Sequence, residues 1–175
     1  MIAANAPRAV LFDLDGTLVD TAPDLCNAVN HVLAGLGRAA VPLARLREVV
    51  SKGGRAMLAV ALPDLDDAAR DALLPPFLAR YAEALAVESE PFTGVPALLD
   101  ALDARGVRWG IVTNKPEALA AGVVADVQAA RAAGMPSAAA LWGYRLPGED
   151  PLQWGADHAA AVPADLHAIA GLAPA

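Results

Sequence analysis

Lysine and cysteine are both scarce in this sequence of 175 residues. Only two lysines, Lys52 and Lys115, contribute to the 13 basic residues, which face 20 acidic ones and leave a net charge of −7. This excess of negative charge argues against nucleic acid and anionic membranes as partners, because both would repel it. Cys26 is the only cysteine, which excludes an intrachain disulfide and a site built from several cysteines.

Long uncharged apolar runs are also lacking. The first residues, MIAANAPRAVLFD, have no charged start followed by a long apolar stretch, which argues against a signal peptide. Elsewhere, proline and glycine interrupt the apolar runs before any could span a bilayer. We therefore predict a soluble cytoplasmic protein. Its 56% apolar content is ample for one domain, or for a core with a small insert.

Two short apolar runs that end in polar residues stand on either side of a helical stretch. RAVLFD at 8–13 and VRWGIVTN at 107–114 each predict a buried strand. Strand, helices and strand in this order predict a parallel βαβ arrangement with a helical insert in the crossover. Asp13 and Thr113 would then lie at the carboxyl ends of adjacent strands, where open α/β sheets bind ligands.

The helical insert has its own start signal. TAPDLCNAVNHVLAGLG has helical spacing, and Thr21 and Asp24 are placed as a capping box. Beyond the second strand, SAAALWGY at 137–144 predicts a further strand, for which we expect no adjacent partner.

The string FDLDGTLVDT, residues 12–21, concentrates acids at the end of the first strand. The spacing of Asp13 and Asp15 can direct both carboxylates to one site, and Gly16 permits a turn whose N–H groups approach an anion. A carboxylate nucleophile beside an acid is one route to covalent phosphoryl transfer, and paired carboxylates also suit Mg²⁺. The alternative is an acidic strand-to-turn transition without function.

Several segments resemble one family. DLDGTLVDT resembles the first motif of the haloacid dehalogenase-like phosphatases, IVTNKPEAL resembles their second, and the helices between them resemble their substrate cap. VTNKP, AARAAGM, ALWGY and WGADH are similar to the bacterial phosphoglycolate phosphatase group. SKGGRAM, WGIVTNKP and DPLQWGADH are similar to the N-acetylmuramic acid 6-phosphate phosphatases.

The resemblance implies a fold and an activity. The fold would be α/β, with a shortened Rossmann-like parallel sheet core from residues 1–20 and 91–175 and an inserted all-helical cap at 21–90. The activity would be Mg²⁺-dependent hydrolysis of a small phosphomonoester, either phosphoglycolate or N-acetylmuramic acid 6-phosphate. A homodimer is a further expectation, since open sheet edges can pair between copies.

The resemblance also implies roles for particular residues. Asp13 would be the nucleophile, and Asp15 would protonate the leaving alcohol and then activate water. Mg²⁺ would be held by Asp13 and Asp15, with Asp126 as a third ligand. The residues expected to bind phosphate are Gly16, Thr113, Asn114 and Lys115.

The start of a predicted cap helix offers further candidates. In SKGGRAM, two cations and two glycines stand together and would bind an anionic part of the substrate. The residues are Lys52, Gly53, Gly54 and Arg55. The alternative is an ordinary turn between helices with solvated basic side chains.

The chain departs from the family pattern after the second motif. No lysine follows Lys115, although the family uses one to neutralise the nucleophile and phosphate. The Gly-Asp that should precede Asp126 has no counterpart, as though a few dozen residues were missing. The segment GVVAD at 122–126 fits either a strand that replaces the missing core strand or part of one long helix. We favour the helix. A catalytically impaired remnant that binds phosphate or a partner is therefore an alternative function.

Overall fold

The structure is a computed structural model. It describes residues 9–111, 130–131, 134–143, 148 and 150–171. The predicted site residues Thr113, Asn114, Lys115 and Asp126 lie outside this described part, as does the choice between strand and helix at 122–126.

The described residues form both strands and helices. The strands are β1 (Ala9–Phe12), β2 (Val19–Asp20), β3 (Glu90–Pro91), β4 (Arg108–Ile111), β5 (Ala138–Ala140) and β6 (His158–Ala160). The α-helices are α1 (Ala22–Gly35), α2 (Leu43–Arg47), α3 (Gly53–Ala61), α4 (Asp67–Glu83), α5 (Val95–Ala104) and α6 (Asp165–Ile169). The prediction of an α/β fold is confirmed.

The two strands predicted from apolar runs lie side by side. β1 and β4 pair in parallel, with Ala9 opposite Arg108 and Phe12 opposite Ile111. Helices occupy the crossover between them, as the βαβ pattern predicts. The register places Phe12 and Ile111 at the same end of the sheet.

Helices α1 to α4, which we call the helical unit, pack around one apolar cluster. Leu33, Met57, Leu58 and Phe77 are among its fully buried side chains. Helix α4 begins where the carboxylate of Asp66 accepts a 2.8 Å hydrogen bond from the N–H of Ala69, a normal N-cap. The helix then continues through the two prolines that the sequence places in its middle.

A second apolar cluster lies beneath β1. It joins β1 and β4 to α5 and α6, and its buried members are Phe12, Leu18, Val95, Leu98, Leu102, Val107 and Ala170. Phe92 packs against both clusters and so connects them. Within the β1–β4 pair, Phe12 is buried and Val10 and Trp109 are half-buried against this cluster.

Two sequence predictions fail in the structure. The capping box is wrong: the Thr21 side chain caps no helical N–H, and Asp24 binds backbone elsewhere. The expectation that the third predicted strand has no partner is also wrong, because β5 pairs in parallel with β6. The segment His158–Ala160 carries no strong strand signal in its sequence, which is why its pairing was missed.

Candidate active site

The acids of the first motif lie on a tight turn that follows β1. Gly16 is buried and has φ of +84°, a conformation that side chains other than glycine rarely adopt. Its N–H donates to the Val19 carbonyl at 2.8 Å, while the N–H groups of Leu18 and Val19 donate to the Leu14 carbonyl at 3.1 and 3.0 Å. These bonds fold residues 13–19, which we call the acidic turn, into one compact unit.

Hydroxyl groups flank both carboxylates of the acidic turn. Thr21 Oγ1 donates a 2.6 Å hydrogen bond to Asp15 Oδ1. Thr17 Oγ1 lies 3.4 Å from Asp13 Oδ2, a longer contact. Thr21 is buried, whereas Asp13 and Asp15 are half-buried. Both acids therefore remain accessible from the carboxyl end of β1, and the rotamer of Asp15 is restrained by a short bond.

A small antiparallel ladder connects the acidic turn to the segment that leaves the helical unit. β2 pairs with β3, so that Val19 stands opposite Pro91 and Asp20 opposite Glu90. The N–H of Phe92 adds a 3.0 Å hydrogen bond to the Leu18 carbonyl. Both connections between the helical unit and the β1–β4 sheet thus run side by side.

The carboxylate of Asp24 binds the chain that returns from the helical unit towards β3. It accepts hydrogen bonds of 2.9 to 3.0 Å from the N–H groups of Val87, Glu88 and Ser89, and a 2.5 Å bond from the Ser89 hydroxyl. Burial alone would raise the pKa of Asp24, but the bonds from Ser89, Glu88 and Val87 together lower that pKa. The ionised form of Asp24 therefore holds the returning chain against the start of α1.

An ion pair crosses from the helical unit to the same ladder. Nη1 of Arg47, in the last turn of α2, lies 2.8 and 2.7 Å from the two carboxylate oxygens of Asp20. The side chains are about one third exposed, at 36% for Arg47 and 26% for Asp20. Asp20 Oδ1 also lies 3.3 Å from the Ala22 N–H at the start of α1. Asp20 is thus a structural acid, distinct in its surroundings from Asp13 and Asp15.

A residue from the other end of the chain also reaches the acidic turn. The indole Nε1 of Trp142 donates a 2.9 Å hydrogen bond to the Thr17 carbonyl, although the two residues are 125 positions apart. The chain that follows β5 therefore contacts the turn that carries the two acids.

The family of the chain follows from comparison of its sequence with known families. The sequence model of the haloacid dehalogenase-like hydrolases matches residues 7–133, which include β1, the acidic turn, the helical unit and β4. The chain belongs to the haloacid dehalogenase-like hydrolases. The matched residues include the turn that carries Asp13 and Asp15.

Individual relatives of this haloacid dehalogenase-like hydrolase are phosphatases. It is 46% identical over 200 residues to a phosphoglycolate phosphatase of Xanthomonas campestris, with 86% of this chain and 90% of the relative covered. It is 34% identical over 200 residues to an N-acetylmuramic acid 6-phosphate phosphatase of Pseudomonas aeruginosa, covering 86% and 88%. A crystal structure of a predicted phosphoglycolate phosphatase from Haemophilus somnus matches the fold with a TM-score of 0.75 at 20% identity, covering 93% of this chain and 97% of the other.

The alignment with the Xanthomonas relative also indicates how many of its positions have no counterpart in this chain. The alignment has 200 positions, whereas 86% of 175 residues is about 150, so about 50 positions stand opposite gaps in this chain. The size of this difference agrees with the few dozen residues that the motif spacing indicates are missing.

The predicted substrate residues of the helical unit have other contacts in the structure. Arg55 pairs with Asp71 of α4 at 3.2 Å, and Lys52 is exposed at the end of a 3₁₀ turn. Gly53 and Gly54 are buried at the start of α3; a Cβ on Gly54 would lie 2.7 Å from a ring carbon of Phe77. Gly54 thus has a packing reason to be glycine, and in the described part of the chain these four residues make no hydrogen bond or ion pair with the acidic turn.

The acidic turn carries two carboxylates, which are side chains of the kind that bind metal ions. Among the residues that the structure describes, no group of three or more His, Cys, Asp or Glu side chains could hold a metal ion. Asp13 and Asp15 supply two, and the expected third ligand, Asp126, lies outside that part. Two carboxylates suit Mg²⁺, which commonly takes one or two and completes its shell with water and phosphate oxygens.

Three residues near the acidic turn escaped sequence reasoning. The sequence predicts Thr21 as a helix cap, and no pattern in the sequence singles out Arg47 or Trp142. A threonine six positions after Asp15 gave a weak signal, because a turn can bring the two together. Nothing local to Arg47 or Trp142 indicates their partners, which lie 27 and 125 positions away.

None of the helices in the described ranges is both long enough and apolar enough to cross a bilayer.

Proposed function

We propose that the chain hydrolyses small phosphate monoesters, with Asp13 as the nucleophile. The observation that carries the proposal is the geometry of the acidic turn. Asp13 follows β1 at the carboxyl end of a parallel pair, and Asp15, two residues later, is restrained by the 2.6 Å bond from Thr21. One acid is thereby available for attack while its neighbour is held for proton transfer.

The reaction has two steps. A carboxylate oxygen of Asp13 attacks phosphorus, the bond between phosphorus and the ester oxygen breaks, and Asp15 protonates the departing alkoxide. Asp15, now ionised, takes a proton from water as the water oxygen attacks phosphorus, which releases inorganic phosphate and restores Asp13. The same acid therefore serves both half-reactions, and the bond from Thr21 limits its movement between them.

Mg²⁺ is part of the proposal. The Asp13 side chain and the Asp15 backbone carbonyl would hold it, with Asp126 as the proposed third ligand. When bound, the ion offsets the negative charge of the phosphate and the carboxylates. The phosphate would also meet the acidic turn at Gly16, which has no side chain to obstruct a close approach. Thr113, Asn114 and Lys115 are proposed as further phosphate ligands.

The proposed substrate is phosphoglycolate or a monoester of similar size. Support comes from the 46% identity to the Xanthomonas phosphoglycolate phosphatase, compared with 34% to the Pseudomonas N-acetylmuramic acid 6-phosphate phosphatase. The amino sugar phosphate is the second substrate to test. Lys52 and Arg55 remain candidates for contact with the rest of the substrate.

A second candidate function is phosphate binding without turnover. It is favoured by a specific observation: about 50 alignment positions stand opposite gaps in this chain, and neither of its two lysines follows the second motif. Without a lysine after the second motif, the repulsion between carboxylate and phosphate would have to be offset by the metal and Lys115.

The test is hydrolysis of phosphoglycolate, N-acetylmuramic acid 6-phosphate and p-nitrophenyl phosphate, with and without Mg²⁺. Wild type, Asp13→Asn and Asp20→Asn would be compared, with circular dichroism to verify folding. The proposal predicts Mg²⁺-dependent phosphate release that Asp13→Asn abolishes and Asp20→Asn retains. Absence of release from folded wild type, with phosphate binding intact, would establish the second candidate instead.

A further inference from the structure

The acidic turn is contacted by two residues from the chain that follows β5. Besides the bond from Trp142 to the Thr17 carbonyl, the next residue touches the turn directly. A Cβ built on Gly143 would stand 2.8 Å from the Gly16 carbonyl oxygen, closer than real Cβ atoms approach. Trp142 and Gly143 therefore form a contact with two consecutive peptide groups of the acidic turn.

The peptide group between Thr17 and Leu18 is held at both of its ends. A peptide unit is planar, so the Thr17 carbonyl and the Leu18 N–H point in opposite directions and rotate together. The carbonyl accepts from Trp142 at 2.9 Å, while the N–H donates to the Leu14 carbonyl at 3.1 Å. The Gly16 carbonyl is covered by Gly143. Rotation of the turn is thus opposed from two directions.

The segment that carries Trp142 is itself fixed to the core. The N–H of Leu141 donates a 2.8 Å hydrogen bond to the Ala160 carbonyl, which extends the pairing of β5 with β6. Ala139 and Ala160 are buried. After β6 the chain enters α6, and Ala170 belongs to the same apolar cluster as Phe12 of β1. Trp142 therefore connects the acidic turn to a second pair of strands.

We infer that Trp142 and Gly143 are positioning residues for phosphoryl transfer, which hold the acidic turn so that Asp13 and Asp15 keep their reactive geometry. The inference rests on the proposed function. It goes beyond it because these residues touch neither acid and act through the backbone of Gly16 and Thr17. Small errors in the placement of reacting groups cost large factors in rate, so we expect a lower kcat with little change in KM.

The sequence offers a matched control. Trp109 Nε1 also donates a 2.9 Å hydrogen bond, but its acceptor is Oδ1 of Asp103 on α5. Trp142→Phe and Trp109→Phe therefore each remove one indole hydrogen bond of equal length and keep an aromatic ring. Only Trp142→Phe loosens the acidic turn, so a difference between the two variants reports on the turn.

The experiment measures kcat and KM for the best substrate, and the dissociation constant of inorganic phosphate with Mg²⁺ by calorimetry. Wild type, Trp142→Phe, Trp109→Phe and Gly143→Ala are compared, with thermal unfolding as the check on folding. We expect Trp142→Phe to lower kcat about tenfold, with KM within about twofold and Trp109→Phe close to wild type. Gly143→Ala should lower kcat in the same direction, because its Cβ must displace the turn.

Failure of the inference is distinguishable from failure of the proposed function. If wild type binds phosphate without turnover and Trp142→Phe weakens that binding while Trp109→Phe does not, the proposed function fails and the coupling of Trp142 to the turn stands. If folded Trp142→Phe matches Trp109→Phe in both turnover and binding, the inference is overturned. A folded wild type that neither binds nor hydrolyses phosphate overturns both.

Discussion

The hydroxyl of Thr21, buried at the start of α1, donates a 2.6 Å hydrogen bond to Oδ1 of Asp15. Thr21→Val keeps the shape of the side chain and removes this donor. A hydrogen bond to a charged group contributes about 1.5–3 kcal/mol, so we expect roughly a tenfold or greater loss of kcat from the freed Asp15. Steady-state kinetics of the Mg²⁺-loaded protein would measure it.

Thr21→Ser is the control for that change, since it retains a hydroxyl at the same position. It should recover most of the activity lost in Thr21→Val. Equal kcat values in wild type and Thr21→Val would show that this hydrogen bond does not orient Asp15 for proton transfer.

Loss of the Asp24 carboxylate should destabilise the protein. In Asp24→Ala, three backbone N–H groups and the Ser89 hydroxyl lose their common acceptor. Leaving buried groups unpaired costs about 1–3 kcal/mol each, but residues 87–89 lie near the surface, where water can replace part of the loss. We expect a decrease of roughly 3 kcal/mol in the free energy of unfolding by urea denaturation. A decrease below about 0.5 kcal/mol is typical of an ordinary surface substitution and would contradict the structural role of Asp24.

The same carboxylate should make stability depend on pH in acid. Because the pKa of Asp24 in the folded state is below its ordinary value of 3.8, ionised Asp24 stabilises the fold above that value. The contribution declines as the pH falls from 3.8 through the lowered folded-state pKa. The difference in unfolding free energy between wild type and Asp24→Asn should therefore be constant from pH 7 to pH 5 and shrink below pH 3.8. A difference that grows with acidity would contradict this assignment.

Gly54 should not tolerate a side chain. The Cβ of Gly54→Ala would stand 2.7 Å from Phe77 Cε1 and 2.9 Å from Leu74 Cδ1, where α3 crosses α4. Overpacking of this kind costs about 1–3 kcal/mol. Gly35→Ala is the matched control, because its Cβ would meet nothing within 4 Å at the end of α1, and it should stabilise by about 0.5–1 kcal/mol. Opposite signs in thermal unfolding are expected; a stabilised Gly54→Ala would refute the packing role.

Short patterns in the sequence predicted the elements that form from residues close together in the chain. The apolar runs before Asp13 and around Trp109 gave two strands, and their order along the chain gave the parallel pairing that β1 and β4 form. The spacing of Thr21 and Asp24 predicted a capping box by the same logic and failed. The carboxylate of Asp24 instead meets N–H groups 63 to 65 positions away.

The rest of the site depends on partners that are distant in the sequence. Trp142 is a large aromatic residue of a kind that commonly packs in a protein core. Only the folded chain brings its indole to the Thr17 carbonyl. Likewise, Arg47 is one basic residue among several until α2 places it against Asp20. Motif resemblance identified Asp13 and Asp15, but a motif records the residues of the turn and not the groups that hold it.

The pairing of β2 with β3 has a consequence for how the chain assembles. Ala9 and Arg108 are register partners nearly one hundred positions apart, a separation that makes direct closure of the first strand pair entropically costly and slow. Once α1 to α4 have folded and their two ends meet at Asp20 and Glu90, the loop that remains to be closed shrinks to the short stretches on either side. The folded helical unit would then bring β4 close to β1. Variants that destabilise the pairing of its two ends should therefore refold more slowly.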